Sequence, residues 1–377
     1  MKLYYIALAR IPTEKAHGLT IAKSCEAFGN EGVDVTLVIP RRVNDLLDDV
    51  YTAYNLKRTF TVKFVPIIDL LRLSKSDLTF RVQAITFYIS ACLYMLFKSR
   101  SNTIIYTRQP LFALLSFVGF RVVYECHHVF NKSNLFFMLC HRAYKIVTIS
   151  HALKHAFTEH GFDDQNILVA PSGVDLTTFE IETLQTDARR ELGLPMETPL
   201  IVYTGNFTTM GADKGIADII QSLTKIPQVI FVAVGGSAGD MQDYNTLAQK
   251  NGVETQVRLF GSAPQSKLAV YQRAADILLM PFPDTPHYRN HMSPVKMFEY
   301  MASGVPIIAS DLPTIREVLN EHNAMIVAPG NSMEIAHAIT ELLGDANKSR
   351  TLAEQAKKDV REYSWPKRTQ RILEAMK

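Results

Sequence analysis

Residues 291–311 read HMSPVKMFEYMASGVPIIASD, and a serine, a lysine and a glutamate in this stretch are placed to do chemistry together. Ser293 suits the N-cap of a helix and Pro294 its first helical position, where the backbone nitrogen has no partner to lose. The amides of Val295 and Lys296 would then point outward. Lys296 puts a cation at the positive end of that helix, which costs a few tenths up to about 1 kcal/mol unless an anion neutralises both. A diphosphate would do so. Glu299, three residues on and on roughly the same face, is long enough to reach past a phosphate and accept hydrogen bonds from sugar hydroxyls. Taken alone, the spacing fits an ordinary solvated Lys/Glu pair equally well.

Three further stretches carry candidates. In YTGNFTTMGADKGIADII (203–220) Gly205 ends a strand, Asn206 follows it, and Lys214-Gly215 opens a helix; this is either a loose phosphate cradle or a plain strand-to-helix turn. It is no Walker A loop, because G-x-x-x-x-G-K-[ST] is absent. In HGLTIAKSCEAFG (17–29) Gly18 could let backbone approach a ligand at the first strand-to-helix turn. In YECHHVFN (124–131) Glu125, His127 and His128 follow a strand and could handle protons or hydrogen-bond a ligand, or be structural; as a zinc site the group lacks ligands at suitable spacing.

The elements that must position these residues follow from periodicity. Short apolar runs (KLYYIALA, VDVTLVIP, TIIYTR, FRVVYEC, YKIVTIS, NILVAPSG) alternate with helical-period segments, and a second series repeats the rhythm (PLIVYTGN, VIFVAVGG, VRLFGSA, DILLMPF, VPIIASD, AMIVAPG). Strands separated by helices imply parallel sheets covered on both faces, because parallel neighbours need a crossover connection. The fold class is therefore α/β, with two doubly wound, Rossmann-like domains. The polar segment FEIETLQTDARRELGLPMET (179–198) places the boundary: residues 1–178, then 179–359, with two terminal helical stretches broken at Pro366. The rule for open α/β sheets puts ligands at the carboxyl ends of strands and phosphates at helix N-termini.

Composition narrows the class. Of 377 residues, 47% are hydrophobic and 20% charged, as in a globular protein with two full cores. A net charge of +3 is too weak to point to nucleic acid. The four cysteines have no metal-like spacing and read as free thiols in a reducing, cytoplasmic compartment. The N-terminal apolar run reads as a strand, not a signal peptide. The stretch AITFYISACLYMLF (84–97) is uncharged but only fourteen residues long, short of a membrane span, and predicts a buried helix. Arg41, Arg42, Lys57, Arg58, Arg72, Lys75, Arg81, Lys98 and Arg100, interleaved with apolar residues, form either an ordinary basic surface or a face for anionic lipid at the inner membrane surface.

Together, SPVKMFEYMASGVPIIASD, YTGN followed by DKG, APSGVDLTTF, ISHALKHAF, AADILLMPF and YSWPKRTQRIL resemble the retaining glycosyltransferases of family 4. The resemblance implies the GT-B fold, with two Rossmann-like domains facing across a cleft and a C-terminal helix (360–377) crossing back to the first. It implies a nucleoside-diphosphate sugar in the second domain, with UDP favoured over GDP, and a glycan or lipid-linked acceptor in the first. Carried over residue by residue, Glu299 would bind ribose hydroxyls. Lys214, with Lys296 and the amides after Ser293, would bind the diphosphate; Gly18 would lie beneath the diphosphate or acceptor; His127 would face the transferred sugar. No metal would be needed, since protein cations and helix-end amides stabilise the leaving group. Two departures stand out. His291 occupies the place of the family's first motif glutamate, and Asn206 that of a basic residue after the strand-end glycine. A nucleotide-sugar 2-epimerase and a non-catalytic partner of the same fold are the rival readings.

Overall fold

The computed structural model describes residues 1–377 apart from 14, 45, 47, 71–73, 75, 130–133 and 210; Arg72 and Lys75 of the basic series, residues 130 and 131 of YECHHVFN, and the middle of the 203–215 loop lie outside the described residues. The chain forms two compact units, Met1–Pro171 with Trp365–Lys377, and Ser172–Ser364.

The first unit is built on seven parallel strands: β1 (Lys2–Ile6), β2 (Asp34–Pro40), β3 (Thr61–Val65), β4 (Thr103–Thr107), β5 (Arg121–Cys126), β6 (Lys145–Thr148) and β7 (Ile167–Val169). They lie in the order β3-β2-β1-β4-β5-β6-β7. The second unit has six parallel strands, β8 (Leu200–Thr204), β11 (Ile230–Val234), β12 (Val257–Phe260), β13 (Ile277–Met280), β14 (Ile307–Ser310) and β15 (Met325–Val327). Their order is β12-β11-β8-β13-β14-β15, beside a small antiparallel ribbon of β9 (Thr208–Thr209) and β10 (Ala212–Asp213). Chain order reverses at β1/β4 in one sheet and β8/β13 in the other, and such switch points open a crevice at the carboxyl ends of the strands.

Central strands are apolar on both faces because helices cover both. In β8, Leu200 and Val202 enter one core while Ile201 and Tyr203 enter the other. The strand of the seven-stranded sheet missing from the sequence reading is β3, an edge strand whose TVKFV buries only Val65 and carries a lysine, so it lacks the continuous apolar signal.

The domain boundary falls earlier than residue 178. Val174 bridges to Ser364, its N–H donates to the Tyr363 carbonyl at 3.0 Å, and Val174 and Phe179 bury in the second unit's core. The return to the first unit likewise begins at Trp365, not at residue 360. Pro366 opens the last helix, Trp365–Ala375, rather than breaking it; the break lies in the tight turn Val360–Tyr363. That helix packs on Ala16–Asn30 within the first unit. The apolar stretch at 84–97 belongs to a longer helix, Asp77–Leu96, and is not buried throughout. Gln83, Phe87, Ala91 and Met95 face the core, whereas Ile85, Ile89 and Leu93 face outward. All four cysteines are unpaired thiols.

Candidate active site

In the second unit the candidates converge at the β8/β13 switch point. Gly205, directly after β8, has φ +106°, a backbone shape that side chains rarely adopt; a Cβ there would stand 3.2 Å from both Cε and Nζ of Lys296. Gly235, at the end of β11, has φ +125°, and a Cβ on it would meet the Gly205 carbonyl at 2.5 Å. Glycine at both strand ends lets the backbone close in around one lysine.

Lys296 sits in the first turn of the helix Val295–Ser303 and is 9% exposed. Its Nζ lies 3.3 Å from the Tyr203 ring centroid and 5.7 Å from that of Phe282. Among the described residues no group hydrogen-bonds to it. Burial, with the nearby Lys214 cation adding to it, holds the Lys296 ammonium well below the usual lysine range. Burial also lowers Lys214, to about 8, against the opposing pull of Asp240. Two lysines lowered by burial, one of them also lowered by the other and without a hydrogen-bond partner among the described residues, make a site suited to an anion.

Glu299, one turn further on, is buried, and its Oε1 accepts from Gln265 Nε2 at 3.2 Å. Burial raises its carboxyl to about 7, although Lys296 and the glutamines pull the other way. Gln265 and Gln272 escaped the sequence reading. They stand seven apart on the helix Gln265–Ala274, a two-turn repeat that puts both on one face. Gln272 Nε2 also donates to Thr204 Oγ1 at 3.1 Å, and the Thr204 amide donates to the Tyr300 hydroxyl at 2.7 Å, which ties the strand end to the lysine's helix.

Several assignments change. The residue capping the helix is Pro294, not Ser293, and its carbonyl accepts from the Met297 amide at 3.0 Å. Ser293 Oγ is instead taken up by the Ser172 amide at 2.8 Å. Among the described residues no protein group accepts from the Val295 or Lys296 amide, so that helix start stays open. The start of Ile216–Ser222 is closed: the amides of Gly215 and Ile216 donate to the Asp213 carboxylate at 2.7 and 3.2 Å. That turn is no phosphate cradle, and Lys214's side chain is what it offers. Asn206 is exposed and its carbonyl accepts from the Tyr203 hydroxyl. His291 ends the short helix Pro286–Asn290, its amide bonded to the His287 carbonyl. The Phe260 carbonyl accepts from the amides of Gly235 and Gly236.

In the first unit Glu125 is fully buried at the end of β5. It is held by Arg108 at 2.9 Å, Arg368 of the last helix at 3.3 Å, His127 Nε2 at 2.5 Å and the Tyr106 hydroxyl. The two guanidiniums overcome burial and keep its carboxyl well below the usual range. His127 is brought down to about 4 by burial and Arg108. The imidazole is therefore neutral at pH 7, and since an ionised carboxylate only accepts, Nε2 carries the hydrogen and Nδ1 is left as an acceptor. This favours hydrogen bonding over proton transfer for His127. His128 is half-buried, and burial lowers it too. Gly18 serves packing: a Cβ there would lie 2.4 Å from Thr13 and 2.5 Å from the Tyr54 hydroxyl, which bonds to the Thr13 backbone. The space beside it is filled by protein.

Residues 19–178 match the model of Glycosyltransferase Family 4, and residues 185–359 match that of Glycosyl transferases group 1. The D-inositol 3-phosphate glycosyltransferase of Xylanimonas cellulosilytica is 28% identical over 57% of this chain and 52% of its own length; the chain spans about half the length of the curated relatives it matches. Sucrose-phosphate synthase from Thermosynechococcus elongatus superposes with a TM-score of 0.75 at 19% identity, covering 100% of this chain and 98% of that one. Anabaena Alr3699/HepE in complex with UDP-glucose superposes at 0.76 and 18% identity, covering 100% and 99%. With the two parallel sheets, these likenesses establish the GT-B fold.

Proposed function

Both halves of the chain belong to glycosyltransferase families, and from that premise we propose that it moves a sugar from a UDP-sugar to an acceptor hydroxyl with retention of anomeric configuration. The observation that carries the proposal is Lys296, a buried amine with no hydrogen-bond partner among the described residues, at an open helix start beside Gly205. A diphosphate there would restore the charge that burial suppresses, accept from the amides of Val295 and Lys296, and balance Lys214.

Glu299 would take the ribose. Gln265 donates to its carboxylate at 3.2 Å and Gln272 also hydrogen-bonds to it, and ribose hydroxyls would add further hydrogen bonds to the ionised form. Negative charge on the diphosphate grows as the glycosyl bond breaks, so the two lysines act mainly in the transition state. The leaving phosphate oxygen would take the acceptor's proton as its hydroxyl attacks on the same face. No protein nucleophile is needed, and these cations supply the charge that a metal would otherwise bring, so turnover should persist in chelator. His127, neutral and oriented by Glu125, would offer Nδ1 as an acceptor to a sugar hydroxyl. The UDP-glucose complex of HepE supports UDP as the nucleotide, with GDP second. The acceptor would be a glycan or a lipid-linked molecule, in surface polysaccharide or glycolipid assembly at the inner face of the membrane.

The test is thermal shift with UDP, GDP and their sugars, then analysis of the product's anomeric configuration by NMR. UDP-dependent stabilisation and a retained anomer are expected. An inverted product, or sugar nucleotide isomerised without acceptor, would overturn the reading.

A further inference from the structure

Among the described residues one helix, Asp77–Leu96, is long and apolar enough to cross a membrane by length and composition, yet only 22% of its apolar window is buried. A helix that is apolar all round belongs in a core or in lipid. Its inner row, Phe87, Ala91 and Met95, packs into the first unit's core with Ile6, Val38 and Ile105. Two residues along a helix is a turn of about 200°, so Ile85, Ile89 and Leu93 form the opposite row, and they are 57%, 55% and 52% exposed. Phe97, just past the end, is 87% exposed. Beside the helix packs the segment Pro110–Val118, which exposes Leu111, Leu114 and Phe117.

The charges along this stretch are mostly basic, although an exposed carboxylate, Asp77, opens the helix. From residue 78 to residue 158 there are nine lysines and arginines and a single carboxylate, Glu125, which is itself buried in its own ion pairs. Arg81 continues the exposed row one turn before Ile85. The ammoniums of Lys63 and Lys98 stand 5.7 and 4.4 Å from the Tyr94 ring centroid, and the Arg142 guanidinium lies 4.5 Å from that of Phe117.

We propose that the Ile85–Ile89–Leu93 row is a docking surface for an anionic phospholipid bilayer, lying in the plane of the headgroup boundary with its basic neighbours on the lipid phosphates. An exposed apolar row with Arg81 in line with it and Lys98 and Arg100 just past the helix end matches such a surface in both its parts. Spanning is excluded, because it would draw Phe87, Ala91 and Met95 out of the core they share with Ile6, Val38 and Ile105. In-plane binding leaves the fold intact. The surface is independent of the transfer reaction, and its test uses neither donor nor acceptor.

The test is flotation of the full chain with vesicles of phosphatidylcholine, with and without phosphatidylglycerol, at low and high salt. Wild type should float with the anionic vesicles at low salt and be released by salt or by loss of phosphatidylglycerol. The variant Ile85→Asp/Ile89→Asp/Leu93→Asp, which changes only exposed positions and whose folding is checked by thermal unfolding, should lose about 100-fold or more in affinity. Lys98→Glu/Arg100→Glu should lose about 30-fold or more. Wild type that stays behind with anionic vesicles at low salt overturns the proposal, as does a triple variant that floats equally well. A wild-type dimer that the triple variant converts to monomer would give the face to a second copy of the chain, and would overturn it too.

Discussion

Replacing Lys296 by methionine should make the free protein more stable and the enzyme much slower. The amine is buried and has no hydrogen-bond partner among the described residues, and leaving such a group unsatisfied costs about 1–3 kcal/mol. Methionine is of similar length and keeps the contact with the Tyr203 and Phe282 rings through a thioether that packs well on aromatics. A gain of about 2 kcal/mol corresponds to roughly 4–8 °C for a unit of this size. The melt is best run near pH 6, below the Glu299 value of about 7, so that removing the cation does not strand a buried carboxylate. In initial-rate kinetics with saturating donor, kcat should fall about 10²–10³-fold, the range for removing one group that stabilises developing charge. A lower melting temperature would mean that Lys296 already has its partner in the free protein, and an unchanged kcat would mean that it never meets the leaving group. Either result refutes the reasoning.

Glu299→Gln should flatten the pH dependence of stability. The folded carboxyl is raised from 4.5 to about 7, so its contribution is full below pH 4.5 and is lost as pH rises through 7, about 3 kcal/mol in all; urea midpoints measured from pH 4.5 to 8 should lose this slope in the variant. Glu125→Gln leaves Arg108 and Arg368 facing no carboxylate and should destabilise by about 3 kcal/mol or more, read as a lower urea midpoint. Gly205→Ala forces a Cβ into a positive-φ position 3.2 Å from the Lys296 ammonium; it should cost about 1–2 kcal/mol and lower kcat, checked by melting and initial rates.

Much of this was legible from residue types alone. The six strands of the second sheet stand out because central parallel strands are apolar throughout, and Lys296 stands out because a cation at a helix start runs against the dipole. What stayed hidden depends on contacts that packing makes and local pattern does not encode. Arg368 reaches Glu125 from the far end of the chain. Asp213 fills the amides that Lys214-Gly215 was expected to offer to a phosphate, and Gly18 yields its space to Tyr54, thirty-six residues away. The stretch 84–97 reads as a buried helix because periodicity cannot distinguish an apolar face turned to a core from one left uncovered.

The central claim is that a donor diphosphate recharges a site that burial keeps short of protons. Titration calorimetry of a UDP-sugar near pH 8, in buffers of different ionisation enthalpy, measures this directly. Lys214, at about 8, is then about half-protonated, and Lys296 is held well below the usual lysine range. The account predicts uptake of more than about half a proton on binding, and a smaller uptake in Lys296→Met. Tight binding with no dependence on buffer would contradict it, because the diphosphate would then be held by something other than these two lysines.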